Sequence, residues 1–245
     1  MGRLIEAARL HRDGHLAAAA AAYAAILRDE PDDAEALRFL GVLALQQGKV
    51  LEGTAHLERA LALRPHDVAT ITNLGDAACA AGNEEAAAIF YRRALQRDSQ
   101  WLPALRALGK LLFRQGDAHA AVRCLRAAVA IDADHFPTQA LLALSLDAAA
   151  ERSEAIEALE RALSLHADQQ LARRLAGWYV DASFGHLNAM RPSEALHCAM
   201  RAIALQPDCA VAYTHAAAAQ LGRNDMDEAL GSCERALALD PSLPR

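Results

Sequence analysis

In VATITNLGDAACAAG, residues 68–82, apolar side chains return every three or four positions, the spacing of one helix face, and Gly82-Asn83 ends the run. EEAAAIFYRRALQRD, residues 84–98, shows the same spacing and predicts a second amphipathic helix. Small residues at Gly75, Ala87 and Ala94 mark where two such helices would approach closely. Leu74, Ala78, Phe90, Tyr91 and Leu95 would fill the spaces between them.

This hairpin pattern repeats along the whole chain. The small residue that opens the second apolar stripe falls at Ala19, Gly53, Ala87, Ala121, Ala155, Ala195 and Ala229, in steps of 34, 34, 34, 34, 40 and 34. Gly41, Gly75, Gly109, Ala143 and Gly177 form a second column at 34, and Ala60, Ala94, Ala128 and Ala162 a third. The phrases ERALALRPHD, RAIALQPDCA and ERALALDPSL, with Pro31, Pro65, Pro207 and Pro241, carry the same period. A fixed period of this length signals tandem supersecondary units that stack to share a core. Seven units are expected in a single array, at 1–33, 34–67, 68–101, 102–135, 136–169, 170–209 and 210–245.

The period breaks once, in VDASFGHLNAMRPSEALHC, residues 180–198. Registration of the flanking stripes places six extra residues between Ser183 and Met190, at the turn joining the two helices of the sixth unit. The second helix would restart near Pro192, a residue suited to a first turn. A helical insertion would lengthen the first helix by about 9 Å; otherwise it is a loop bent at Gly185, and either form would project from one edge of the array.

Composition narrows the class. Of 245 residues, 53% are apolar, built largely from Ala and Leu, and only 4% are aromatic, which favours helix. Few β-branched clusters occur, so the fold class is all-α. A net charge of -6 lacks the basic surplus of a nucleic-acid binder, so no nucleic-acid partner is expected. Charges interrupt the N-terminal residues and no apolar run approaches membrane-spanning length, so neither a signal peptide nor membrane insertion is expected. Cys79, Cys124, Cys198, Cys209 and Cys233 form no CxxC pair and read as free thiols of a cytoplasmic protein.

Leu40-Gly41, Leu74-Gly75 and Leu108-Gly109, Ala19 with Tyr23, Ala87 with Tyr91, and the closing Pro31, Pro65, Pro207 and Pro241 together resemble the tetratricopeptide repeat (TPR) signature. Ser99, Ala133 and Ala167 depart from it at the closing Pro; Leu57, Leu125, Leu159 and Cys233 depart at the aromatic. The resemblance spans the chain, is of bacterial type, and implies a right-handed α-solenoid whose first helices line a groove that binds protein partners. On those helices it points to Arg38, Asn73, Arg106, Lys110 and Arg114, with Arg174 and Trp178 in the sixth unit. The Arg and Lys residues could receive acidic side chains or a C-terminal carboxylate of an extended peptide, or could be an ordinary solvated face. Trp178 is expected to face the groove and Tyr179 to lean on a neighbour. The N-terminal part also resembles TPR arms of O-linked N-acetylglucosamine-transferase-like proteins. Asn73 alone, however, occupies the repeated Asn place; Phe39, Ala107, Leu141, Leu175 and His215 fill the others.

Catalytic constellations are not evident. His11, Asp13 and His15 flank a bend at Gly14 without a third ligand, and His186, His197 and Cys198 lack the groups that would complete a nucleophilic site. No phosphate loop, HExxH or GxSxG occurs, so no cofactor or metal is expected. Leu230, Cys233 and Leu237 of the last unit are expected to be exposed, so the chain either self-associates through an end or is the arm of a longer protein. The sequence therefore points to a non-catalytic interaction scaffold or adaptor, with a substrate-presenting arm of a glycosyltransferase, or its fragment, as the alternative.

Overall fold

The computed structural model describes residues 2–242. Among them every regular element is an α-helix: α1 (Gly2–Arg12), α2 (Leu16–Asp29), α3 (Ala34–Gln46), α4 (Val50–Leu63), α5 (Val68–Ala80), α6 (Glu84–Arg97), α7 (Leu102–Arg114), α8 (Ala118–Ile131), α9 (Phe136–Ala148), α10 (Arg152–Leu165), α11 (Gln169–Asn188), α12 (Pro192–Leu205), α13 (Ala210–Gly222) and α14 (Met226–Leu239). They form two compact units, Met1–Asp132 with α1–α8 and Ala133–Arg245 with α9–α14. Within each, an odd-numbered helix packs on the even-numbered helix after it, and that helix packs on the next odd one. This is the all-α solenoid of helical hairpins that the period implied.

Local chemistry sets the ends. Asp67, Asn83 and Asp117 cap α5, α6 and α8 by accepting the backbone N–H of Thr70, Ala86 and Ala120. Each hairpin then turns through one residue at positive φ: Gly14, Gly48, Gly82 and Gly116 in the first unit, but Ala150, Met190 and Asn224 in the second. At Ala150 and Met190 the Cβ crowds the next carbonyl, a cost of about 1–2 kcal/mol that glycine avoids.

Close approach of paired helices explains the small columns. A Cβ on Gly41 would lie 2.7 Å from Cγ of Leu57 and 3.0 Å from the Gly53 carbonyl oxygen, and one on Gly109 2.8 Å from Cγ of Leu125. Facing small residues are twelve apart in sequence, as in Gly41 and Gly53 or Gly75 and Ala87. On the second helices Arg59 and Arg161 reach Asp32 at 2.8 Å and Asp134 at 2.5 Å, tying each helix to the loop that precedes its hairpin.

The broken step is not where registration placed it. In α11 the residue twelve before Ala195 is Ser183, fully buried, whose Oγ donates to the Ala195 carbonyl at 2.9 Å. From Ser183 to the turn at Met190 is seven residues, as from Gly41 to Gly48, so the inter-helix turn is of ordinary length. The addition lies upstream: α11 begins fourteen residues before Ser183, whereas α3, α5, α7, α9 and α13 begin seven before their small residue. The helical outcome therefore holds, but at the opposite end of the helix from Phe184 to Ala189. Six added residues turn a helix by about 600°, or two-thirds of a turn beyond a whole one. Gly177 is accordingly exposed, with nothing within 4 Å of an added Cβ, and does not belong to the contact column.

At the outer hairpins, Arg3, Glu6 and Arg9 of α1 stand where α3 has Leu37, Leu40 and Leu43. Arg9 pairs with Glu6 at 2.6 Å and with Asp13 at 3.1 Å. On α14, Leu230 is 61% exposed and Cys233 is exposed, as expected, while Leu237 is half-buried.

Candidate functional site

In the first unit α1, α3, α5 and α7 lie side by side, because each odd helix touches the next odd one as well as its own partner. Residues one repeat apart therefore form rows across this face: Val42, Asp76 and Lys110 directly after the small residue, and Phe39, Asn73 and Ala107 two before it. Val42, Leu45, Gln46, Asn73 and Asp76 enclose a cleft of about 300 Å³ between α3 and α5. Asn73 brings an amide with no protein hydrogen bond among the described residues. Beneath the cleft, the buried Tyr91 donates its hydroxyl to Asp76 Oδ1 at 2.7 Å. Partial withdrawal from water lifts the Asp76 carboxyl above its ordinary range, the Tyr91 bond acting the other way.

The basic residues expected on this face are mostly spoken for. Arg38 lies 3.7 Å from Glu35 and 3.9 Å from Asp67, with its guanidinium 4.1 Å above the Phe39 ring. Arg106 reaches Asp132 at 2.6 Å, and Arg114 binds Glu84 at 2.5 Å. Arg38 and Arg114 tie successive hairpins together and Arg106 ties α7 to the end of its own partner α8, so a partner's carboxylate would have to displace an existing pair. Lys110 is exposed and has no ion pair among the described residues.

In the second unit the corrected register redraws the face. Phe184 and His215 stack at 6.0 Å, and Asp181, not Leu175, takes the place equivalent to Asn73. Asp147, Ala150, Arg152, Asp181 and Ala182 line a cleft of about 430 Å³, with Arg152 2.7 Å from Asp147 and 3.2 Å from Asp181. Trp178 does not face a ligand surface as expected. It is 5% exposed, beneath the Arg152 guanidinium, in the buried column of Ala36, Thr70, Ala104, Thr138 and Ala212. The rotation imposed by the upstream addition carries it there. Tyr179 does pack against a neighbour, donating its hydroxyl to Glu160 at 2.7 Å. Arg174 is exposed on the added turns of α11, off the row of Asp181 and Phe184. Asp181 was expected on the face beside Arg174 and Trp178, but no residue-type signal marked Phe184, which emerges only once Ser183 is known to be the contact residue.

His215 has a buried Nδ1 without a partner. Burial holds its imidazole below the ordinary range, against a Val180 backbone bond and the Asp181 charge. Neutral His215 thus contributes stability above about pH 6.5 that is lost as pH falls through its depressed value. Between about pH 7.5 and 5, the urea midpoint of the wild type should fall further than that of His215→Phe; equal falls would refute this.

Among the other histidines, His11 bonds Gln46 at 2.9 Å. Cys198 is buried, and burial pushes its thiol up, away from the thiolate a nucleophile needs. No helix among the described residues is long and apolar enough to cross a membrane.

The sequence profile described as tetratricopeptide repeat matches residues 6–68, 52–100 and 185–244, more than half of the chain, and a second profile of that description matches 103–135. No curated protein matches the sequence significantly. Among solved structures, the C-terminal part of a TPR repeat-containing protein from Cytophaga hutchinsonii aligns with TM-score 0.65 and 14% identity, covering 98% of this chain and 96% of that one. YrrB, described as a TPR protein with an unusual peptide-binding site, gives TM-score 0.52 and 19% identity over 76% of this chain and 93% of its own. Naa15/Naa10 bound to HypK-THB gives 0.61 and 16% over 99% of this chain and 37% of that one. At such identities the likeness speaks to the fold.

Proposed function

Because the chain belongs to the tetratricopeptide repeat family, we propose that it is a non-catalytic cytoplasmic scaffold or adaptor that holds an extended peptide segment of a protein partner across α3, α5 and α7. The observation that carries this reading is the cleft between α3 and α5, where apolar Val42 and Leu45 lie beside the unpartnered amide of Asn73. An amide offers both donor and acceptor, the complement of one peptide unit, and the apolar pair supplies area for a side chain. Five unpaired thiols fit a reducing compartment. A substrate-presenting arm of a glycosyltransferase would use the same amide, but Phe39, Ala107, Leu141, Asp181 and His215 give it no second Asn to continue along the row.

Pull-down from a lysate with wild type and an Asn73→Ala, Lys110→Ala variant tests the scaffold reading. Both positions lie outside the core, so the variant should keep its helical signal while losing about five- to thirtyfold in affinity for captured partners, as expected for 1–2 kcal/mol. Unchanged partners in unchanged amounts would move the site off this face.

A further inference from the structure

Charge pairing on the face of α3, α5 and α7 is incomplete in an ordered way. Arg38 pairs with Glu35 and Asp67, and Arg106 with Asp132, although the buried Nε of Arg106 has no partner of its own. Two exposed charges are left over, Asp76 on α5 and Lys110 on α7, at equivalent positions one repeat apart. Asp76 accepts from the Tyr91 hydroxyl but faces no cation within ion-pair distance among the described residues, and no ion pair joins it to Lys110. The equivalent residue on α3 is Val42, so one row presents an apolar, an acidic and a basic side chain on consecutive first helices.

Neighbouring packed helices stand roughly 8–10 Å apart. An extended chain advances about 3.3 Å per residue, so one step along the row corresponds to about three residues of a peptide crossing the helices. We propose that this row reads a charge pattern in the partner's extended segment: an apolar residue at Val42, a lysine or arginine at Asp76, and an aspartate or glutamate at Lys110, each about three residues from the next. The inference rests on the proposed peptide-binding face and names its ligand. It differs from the acidic or C-terminal carboxylate peptide expected from the count of basic residues, because three of those bases are consumed within the protein while Asp76 would repel a uniformly acidic segment. Asn73 lies beside Asp76 in the cleft, where its amide can engage the peptide backbone while the carboxylate takes the side chain. Opposite charges placed in fixed order confer register as well as attraction, since sliding the peptide by one helix sets like charges against each other.

A random peptide library displayed against the 245-residue chain tests the idea. Enriched peptides should carry a basic and an acidic residue about three apart with an apolar residue beyond the base. A synthetic peptide of that class should lose about tenfold in affinity, some 1.4 kcal/mol, with Asp76→Asn, which retains an acceptor for Tyr91. It should lose more with Lys110→Asp, and the double variant Asp76→Lys, Lys110→Asp should prefer the peptide whose base and acid are exchanged. Enriched peptides that are uniformly acidic, or a double variant with unchanged preference, would overturn the charge pattern while leaving the face intact, provided Asn73→Ala still weakens them. If no peptide is enriched, or binding ignores Asn73→Ala, the face itself fails and this inference falls with it.

Discussion

Replacing Ser183 with leucine should destabilise the α11–α12 hairpin by about 3 kcal/mol, whereas the same replacement at Gly177 should be neutral or stabilising by up to about 1 kcal/mol. Ser183 is fully buried where the two helices come closest, and its hydroxyl donates to the Ala195 carbonyl at 2.9 Å. Leucine there forfeits a buried bond, about 1 kcal/mol, and forces the backbones apart, a further 1–3 kcal/mol. Gly177 has open space around its missing side chain and sits inside a helix, where glycine itself is unfavourable. Thermal unfolding of the two variants distinguishes the registers by sign. Loss at Gly177 and tolerance at Ser183 would restore the 34-residue spacing from Ala143 and refute the upstream placement of the added residues.

Tyr91→Ala should cost about 3–5 kcal/mol, the usual penalty for emptying a buried aromatic site. The ring is 2% exposed, and any Cβ on Gly75 would collide with it, so this glycine and tyrosine fit as one unit. Tyr91→Phe keeps the ring and loses the bond to Asp76, which should cost only about 1 kcal/mol because the exposed carboxylate regains water. Repeat arrays share stability between neighbours, so hydrogen exchange should show the loss concentrated in α5, α6 and the adjoining helices. A Tyr91→Ala protein with undiminished protection there would contradict the packing described for this hairpin.

Helical hairpins were legible in the sequence because the physical demand recurs: two helices that touch need a small residue at each crossing, and Gly41, Gly53, Gly75 and Ala87 mark those points directly. The position of the six added residues was not legible. Gly14, Gly48, Gly82 and Gly116 punctuate the first four turns, but Ala150 and Met190 take the same left-handed backbone on either side of α11 with residue types that do not announce a turn. Gly177, lying 34 residues after Ala143, then imitates a contact residue, and Gly185 a bend, while both sit exposed within α11. The candidate face was readable as rows of equivalent positions in the first unit. Its charge balance was not, because Asp67, Asp132 and Glu84, which pair with Arg38, Arg106 and Arg114, lie 26 to 30 residues away, and only packing brings them within reach.

The length of α11 has a kinetic consequence. Isolated helices shorter than about 12–15 residues are marginal in water, which leaves most helices here dependent on a neighbour before they persist. At 20 residues α11 exceeds that limit, and it is joined by a short turn to α12, against which Ser183 already has its acceptor. Closing so short a connection takes well under a microsecond. In the unit that follows Asp132, the order of assembly should therefore begin at α11 and α12 and spread outward, with the residues that interrupt the period serving as the seed from which that unit grows.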